Sequence, residues 1–262
     1  MNSHFWFRAT SRARSYIRSK DRHSVHSPYM ANFIDAVFRS RTLPKDVDKI
    51  EQFRKSLHLD ERLIKVEDHG AGSLHSNGKE RKVRDIARFA AKGRKDAAFL
   101  FRAAEFVGAK NIVELGTSLG ITSLYLSSNR NIHLTTFEGC PNTLAIASAG
   151  FGKLDRKNIS TIQGNFNDTL PKTLEDLGQI DLAFIDGDHR KEPTLKYFEL
   201  IFPKLHNDSV LVFDDIHWSP GMEEAWELIK ADPRAKVTVD IHRMGFVLFR
   251  EEMTPEHFDL RY

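Results

Sequence analysis

Between residues 111 and 250 the chain alternates short runs rich in Ile, Val, Leu and Phe with stretches of helical character, five times over, before the pattern changes. The five runs are 111–115, 133–138, 158–163, 180–186 and 209–214. Strand and helix in strict alternation predict a parallel sheet with helices on both faces, because parallel neighbours need a crossover and continuously apolar strands need cover on two sides. Two last runs, 235–241 and 245–250, are separated by too few residues for a crossover and must form an antiparallel hairpin. The predicted fold class is α/β: a Rossmann-like, doubly wound, seven-stranded sheet with five parallel crossovers and a C-terminal antiparallel hairpin. Residues 1–110 read as an N-terminal helical extension, and 111–262 as the sheet domain.

The first strand runs into Glu114-Leu115-Gly116-Thr117-Ser118-Leu119-Gly120-Ile121-Thr122, a glycine turn that opens directly into a helix. Gly116 lets backbone approach a ligand closely, and Gly120 lets the new helix pack tightly on the strand. Glu138 closes the next run, where a carboxylate can accept hydrogen bonds from two ribose hydroxyls, so an adenosine-containing ligand is expected. A nicotinamide dehydrogenase would have Gly-x-Gly-x-x-Gly at the turn. Here the middle glycine, against which a pyrophosphate would rest, is missing.

Three further turns carry polar side chains: Gly164-Asn165-Phe166-Asn167-Asp168, Phe184-Ile185-Asp186-Gly187-Asp188-His189, and Phe213-Asp214-Asp215-Ile216-His217-Trp218. In a doubly wound strand order the first strand lies beside the fourth and the fourth beside the fifth, ~4.8 Å apart. Asp186, Asp214 and Asp215 therefore converge at one edge of the ligand cleft. Three carboxylates there call for a neutralising charge, and hard oxygen ligands favour Mg²⁺ or Ca²⁺. An aspartate that ends a parallel strand also serves as a helix N-cap or as an acceptor for a loop, and that reading stays open.

Taken in order, these motifs resemble the class I S-adenosylmethionine-dependent methyltransferases over residues 111–250. The Asp-Gly-Asp-His turn followed by Asp-Asp is similar to the metal-dependent small-molecule O-methyltransferases, the catechol O-methyltransferase-like and cephalosporin-hydroxylase-like branch. The resemblance implies S-adenosylmethionine as cofactor and a small-molecule methyl acceptor, methylated on oxygen, with nitrogen as the alternative. It implies a cofactor site of Glu114, Gly116, Thr117, Ser118, Gly120, Thr122, Glu138, Gly139, Asn165, Phe166 and Asp186. Glu114 can attract the cofactor's ammonium group, and Phe166 either stacks on adenine or packs in the core. Asp186, Asp214 and Asp215 would hold the cation, which would orient the acceptor hydroxyl and lower its pKa. Asp186, His189 and His217 are the expected catalytic residues. Two departures from the catechol-type pattern stand out: His189 replaces a lysine base, and Asp214-Asp215 replaces Asp-Asn, whose extra charge strengthens cation binding or requires a cationic partner nearby. A sheet that only binds the cofactor, and a metal-dependent hydrolase built on Asp186, Asp188, Asp214 and Asp215, are the readings from other classes.

Ahead of the sheet, Ser27-Pro28 makes an N-cap followed by proline, and Met30, Phe33, Ile34, Val37 and Phe38 recur at helical spacing. Val83, Ile86, Ala87 and Ala90 mark a second helix, and Leu100, Ala103, Ala104 and Val107 a third. The glycine-rich stretch from His69 to Gly78, with Ser73 and His75, reads as a surface loop or a lid. Residues 1–20 contain Arg8, Arg12, Arg14, Arg18 and Lys20 without an acid, plus Phe5-Trp6-Phe7. A solvated basic helix with an aromatic anchor is favoured over contact with an anionic membrane, and a transit peptide would share the composition. The net charge of +3, with both signs spread along the chain, gives no nucleic-acid footprint. A single cysteine, Cys140, excludes an internal disulfide and fits a reducing compartment, so a cytoplasmic protein is expected. The large extension leads us to expect a homodimer.

Overall fold

A computed structural model describes residues 27–67 and 80–262. The basic, aromatic N-terminal segment and the glycine-rich stretch with Ser73 and His75 lie outside the described residues. Helix α1, Pro28–Ile34, starts where the side chain of Ser27 accepts a hydrogen bond from the amide of Met30 at 3.4 Å. It continues into a π-helical turn, Asp35–Arg39, so that Met30, Phe33, Ile34, Val37 and Phe38 are all buried. Helix α2, Val47–His58, buries Ile50, Phe53 and Leu57, whose spacing the sequence reading passed over. A two-stranded antiparallel sheet follows, β1 (Leu63–Lys65) with β2 (Glu80–Lys82), so the extension is not wholly helical. Helices α3, Val83–Phe89, and α4, Arg94–Phe106, lead into the main sheet.

That sheet contains β3 (Asn111–Leu115), β4 (His133–Glu138), β5 (Ile159–Gln163), β6 (Ile180–Ile185), β7 (Leu205–Asp214), β8 (Val237–Asp240), β9 (Met244–Leu248) and β10 (Glu256–Asp259). Its order is β10-β8-β9-β7-β6-β3-β4-β5. Strands β3 to β7 are parallel, and β9 runs antiparallel to both β7 and β8. The sheet thus has eight strands rather than the expected seven. The addition, β10, pairs parallel with β8. In Glu256-His257-Phe258-Asp259 only Phe258 is apolar and buried, too little alternation for a strand to be read from sequence.

Alternate side chains of each strand enter different cores. On one face Ile112, Leu134, Leu182, Val210 and Phe246 pack with Met30, Phe33, Phe99 and Leu100, so the extension supplies this helical layer. On the other, Val113, Leu115, Ala183 and Leu211 pack with Leu170 of α7 (Phe166–Asp176), Tyr197 of α8 (Lys191–Ile201) and Trp226 of α9 (Pro220–Ala231). Buried Arg102 ties α4 to the π turn, donating to the carbonyls of Val37 at 2.6 Å and Ser40 at 2.7 Å. Register then aligns the site: Leu115 lies opposite Phe137 and Ile185, and Ile185 opposite Phe213. The C-terminal ends of β3, β4, β6 and β7 therefore open onto one edge, beside the switch point between β3 and β6 where ligands of such sheets bind.

Candidate active site

The glycine turn after β3 is shaped by its neighbours. Gly116 has φ +105°, and a Cβ there would lie 2.0 Å from the carbonyl oxygen of Asp186, so glycine lets the β3 and β6 turns touch. Gly120, at φ +81° and capping α5 (Ile121–Leu126), abuts the Phe151 ring and Ala147 of α6 (Pro141–Lys153), so the contact it permits is with a second helix and not, as read from sequence, with the strand. Ser118 also takes a positive φ, and its amide donates to Glu138 Oε2 at 2.7 Å. The amide of Cys140 donates to Oε1 at 2.9 Å. Burial raises the pKa of this carboxyl, and the two amides oppose the rise.

A cleft of about 760 Å³ opens over this edge, a volume suited to a nucleoside-sized ligand. Of the residues expected to hold a cofactor, Gly116, Ser118, Glu138, Gly139, Asn165, Phe166 and Asp186 line it. Phe166 presents its ring to the cleft and packs edge-on against Tyr197, with centroids 6.1 Å apart. Asn165 caps α7, accepting from the amide of Asn167 at 2.9 Å. Glu114, Thr117, Gly120 and Thr122 do not line the cleft; they support it from behind. The Glu114 side chain is fully buried, and its Oε2 accepts from Ser123 at 2.5 Å and Thr136 at 2.7 Å. Burial pushes its pKa up to about 8, the two hydroxyl donors only partly offsetting this. In this geometry it is a buried acid bracing the turn. Thr117 pairs with Thr136, the hydroxyl oxygens 2.6 Å apart.

The acidic edge holds a residue that the sequence reading did not single out. Lys92, between α3 and α4, hydrogen-bonds Asp214 and lies 3.4 Å from Asp186 Oδ1. Burial alone would favour a neutral amine, yet the charges of Asp186, Asp214 and Asp215 outweigh it and hold the ammonium protonated. His189 stands beside them, Nε2 3.7 Å from Asp186 Oδ1, and lines the cleft. Asp215 also lines the cleft, at φ +51°. Its neighbour in the motif does not: His217 is turned away, Nε2 2.7 Å from Asp240 Oδ2, with its ring stacked on His242. The expected role of His217 as a base is not supported by that position. Asp188 is likewise committed, forming an ion pair with Arg190.

Potential ligand atoms of Asp186, His189 and Asp214 lie within 4.8 Å of one another, close enough for a cation; Asp215 is not in that group. A divalent ion sits ~2.0–2.6 Å from its oxygen ligands, so here it would stand within about 5 Å of the Lys92 ammonium, competing for the same oxygens. Residues and ion do not fit together in this arrangement. The signal for Lys92 in the sequence was indirect, the surplus acid in Asp214-Asp215. Arg243, which pairs with Asp96 at 2.9 Å and lines the same side, gave none.

Residues 113–216 match the methyltransferase domain family. The chain is 32% identical over 125 residues to a catechol O-methyltransferase of Niastella koreensis, a match covering 45% of this chain and 54% of that relative. It thus spans about half the length of that curated relative. Among solved structures, an SAH-bound methyltransferase of Podospora anserina superposes with a TM-score of 0.59 at 15% identity, covering 87% of this chain and 98% of the other. An O-methyltransferase of Bacillus cereus in complex with SAH does so with a TM-score of 0.54 at 17% identity, covering 83% and 96%. Sheet order and these likenesses show a Rossmann-like, methyltransferase-type fold, with the family match confined to residues 113–216.

Proposed function

We propose that the chain is an S-adenosylmethionine-dependent methyltransferase that methylates a small molecule on oxygen. The observation that carries this reading is Glu138: a half-buried carboxylate at the end of β4, held by the amides of Ser118 and Cys140 and lining the cleft beside the glycine turn. Such a carboxylate fits two vicinal ribose hydroxyls. Phe166 offers a ring face for adenine, and the backbone around Gly116 and Ser118 gives polar atoms for the rest of the nucleoside. When bound, S-adenosylmethionine supplies an activated methyl group, and the remaining work is positioning and exclusion of water.

On the acceptor side, His189 is the base that takes the hydroxyl proton, with Asp186 3.7 Å from its Nε2. The segment from β2 to Lys92 covers the cleft with Ile86, Phe89 and Ala90, an apolar wall suited to a planar or hydrocarbon acceptor. A metal-dependent hydrolase fits less well, because Asp188 is committed to Arg190 and Asp214 to Lys92. No helix among the described residues is long and apolar enough to cross a membrane; a cytoplasmic homodimer is the setting proposed.

Calorimetric titration with S-adenosylmethionine tests the reading. Micromolar binding is expected, and Glu138→Ala should weaken it by about 30-fold or more, the loss of hydrogen bonds to a charged group. Wild-type protein that takes up no S-adenosylmethionine, or equal binding in the variant, refutes it.

A further inference from the structure

We infer that Lys92 is the resident cation of this site, standing where a divalent ion would otherwise sit, and that a ligand oxygen in the cleft docks on its ammonium without a metal. The acidic turns after β6 and β7 bring Asp186 and Asp214 side by side, since Ile185 and Phe213 are register partners. Two carboxylates this close, Asp214 fully buried and Asp186 partly so, are costly to keep charged without a positive partner. The chain provides one from outside the sheet: Lys92 reaches Asp214 and Asp186 together, and it is mostly buried and on the cleft lining. Gly93 follows it and precedes α4, whose Asp96 is held by Arg243 of the β8–β9 turn, so the segment is anchored immediately beyond the lysine.

An ammonium has three N–H donors. One is given to Asp214, and Asp186 stands 3.4 Å away as an ion-pair partner, which leaves donor capacity for a ligand oxygen. A resident lysine differs from a metal in two ways that matter here. It cannot be chelated away, and it offers one hydrogen bond rather than several coordination positions, so an acceptor with a single hydroxyl is served as well as a vicinal diol. The acceptor part of the inference rests on the methyltransferase reading. There, the acceptor O–H gives its proton to His189, the new C–O bond forms as the C–S bond breaks with its electron pair returning to sulfur, and Lys92 keeps its own proton throughout.

The test is a titration of the full chain with Mn²⁺, followed by the resonance of the free ion, with Mg²⁺ and Ca²⁺ as competitors. Wild-type protein should show no stoichiometric site below millimolar concentration. Lys92→Met, which keeps the length and removes the charge, should gain one site at least 10-fold tighter, and adding Asp214→Asn to that variant should abolish the gain. One tight Mn²⁺ per wild-type chain, lost in Asp214→Asn alone, overturns the inference. Should Lys92→Met not fold, the wild-type titration still decides. Binding of S-adenosylmethionine is measured separately, so failure of the cofactor reading and failure of the metal-free site are distinguishable.

Discussion

Replacing Glu114 by glutamine isolates one buried acid and gives a signed dependence on pH. Its carboxyl is fully buried and raised from 4.5 to about 8. The folded protein therefore binds a proton that the unfolded chain has released, and stability falls as pH rises from about 4.5 to about 8. At about 1.4 kcal/mol per pH unit, the full window corresponds to at most about 5 kcal/mol. Glutamine cannot titrate, so this slope vanishes in the variant. It has a cost of its own: Oε2 already accepts from Ser123 and Thr136, while Oε1 is buried and has no hydrogen-bond partner among the described residues. An amide N–H₂ in that position costs about 1–3 kcal/mol at every pH. Urea unfolding followed by tryptophan fluorescence should find the variant less stable than wild type at pH 5, with the gap closing and reversing by pH 8.5. A gap that stays constant across that range would show that Glu114 is ionised in the folded protein and refute the argument.

Other substitutions probe the frame around the cleft. Gly116→Ala combines a positive φ with a Cβ 2.0 Å from the Asp186 carbonyl oxygen, and should cost about 3–5 kcal/mol; a melting shift smaller than about 2 °C would contradict it. Asp240→Asn weakens a carboxylate that accepts from His217 at 2.7 Å, Trp226 at 3.0 Å and the amide of His242 at 2.6 Å, and should cost about 3 kcal/mol. Burial would lower the pKa of His217, but Asp240 outweighs it and raises the value. Its contribution is thus complete below about pH 6.5 and lost as pH climbs through the folded value. Melting curves from pH 6 to 9 should accordingly be flatter in Asp240→Asn than in wild type.

Much of this architecture was legible because it rests on local periodicity. The parallel strands, the terminal hairpin and the buried faces of α1, α3 and α4 all follow from apolar spacing that a single sequence displays. β10 was not legible, since its place depends on β8 presenting an unpaired edge. Within the site, the residues that end strands or follow them were readable from the sequence pattern: Gly116, Glu138, Asp186 and Asp214. What those residues face was not. Nothing near Glu114 in sequence says that Ser123 and Thr136 will close over it, and nothing near His217 points to Asp240, 23 positions away. Lys92 is the extreme case, 122 positions from the aspartate it pairs with and one of 39 lysines and arginines. Local pattern specifies which groups reach the cleft edge; only tertiary packing selects their partners.

The position of Lys92 also bears on how separable the two parts of the chain are. The stretch that matches the methyltransferase domain begins at residue 113 and contains the acids but not the lysine that balances them. Cut out or grafted onto another scaffold as a module, residues 111–262 would carry an uncompensated negative pocket and could recruit whatever cation the medium supplies. Modularity by sequence match and modularity by charge therefore fall at different boundaries, and a functional transplant has to begin upstream of residue 92.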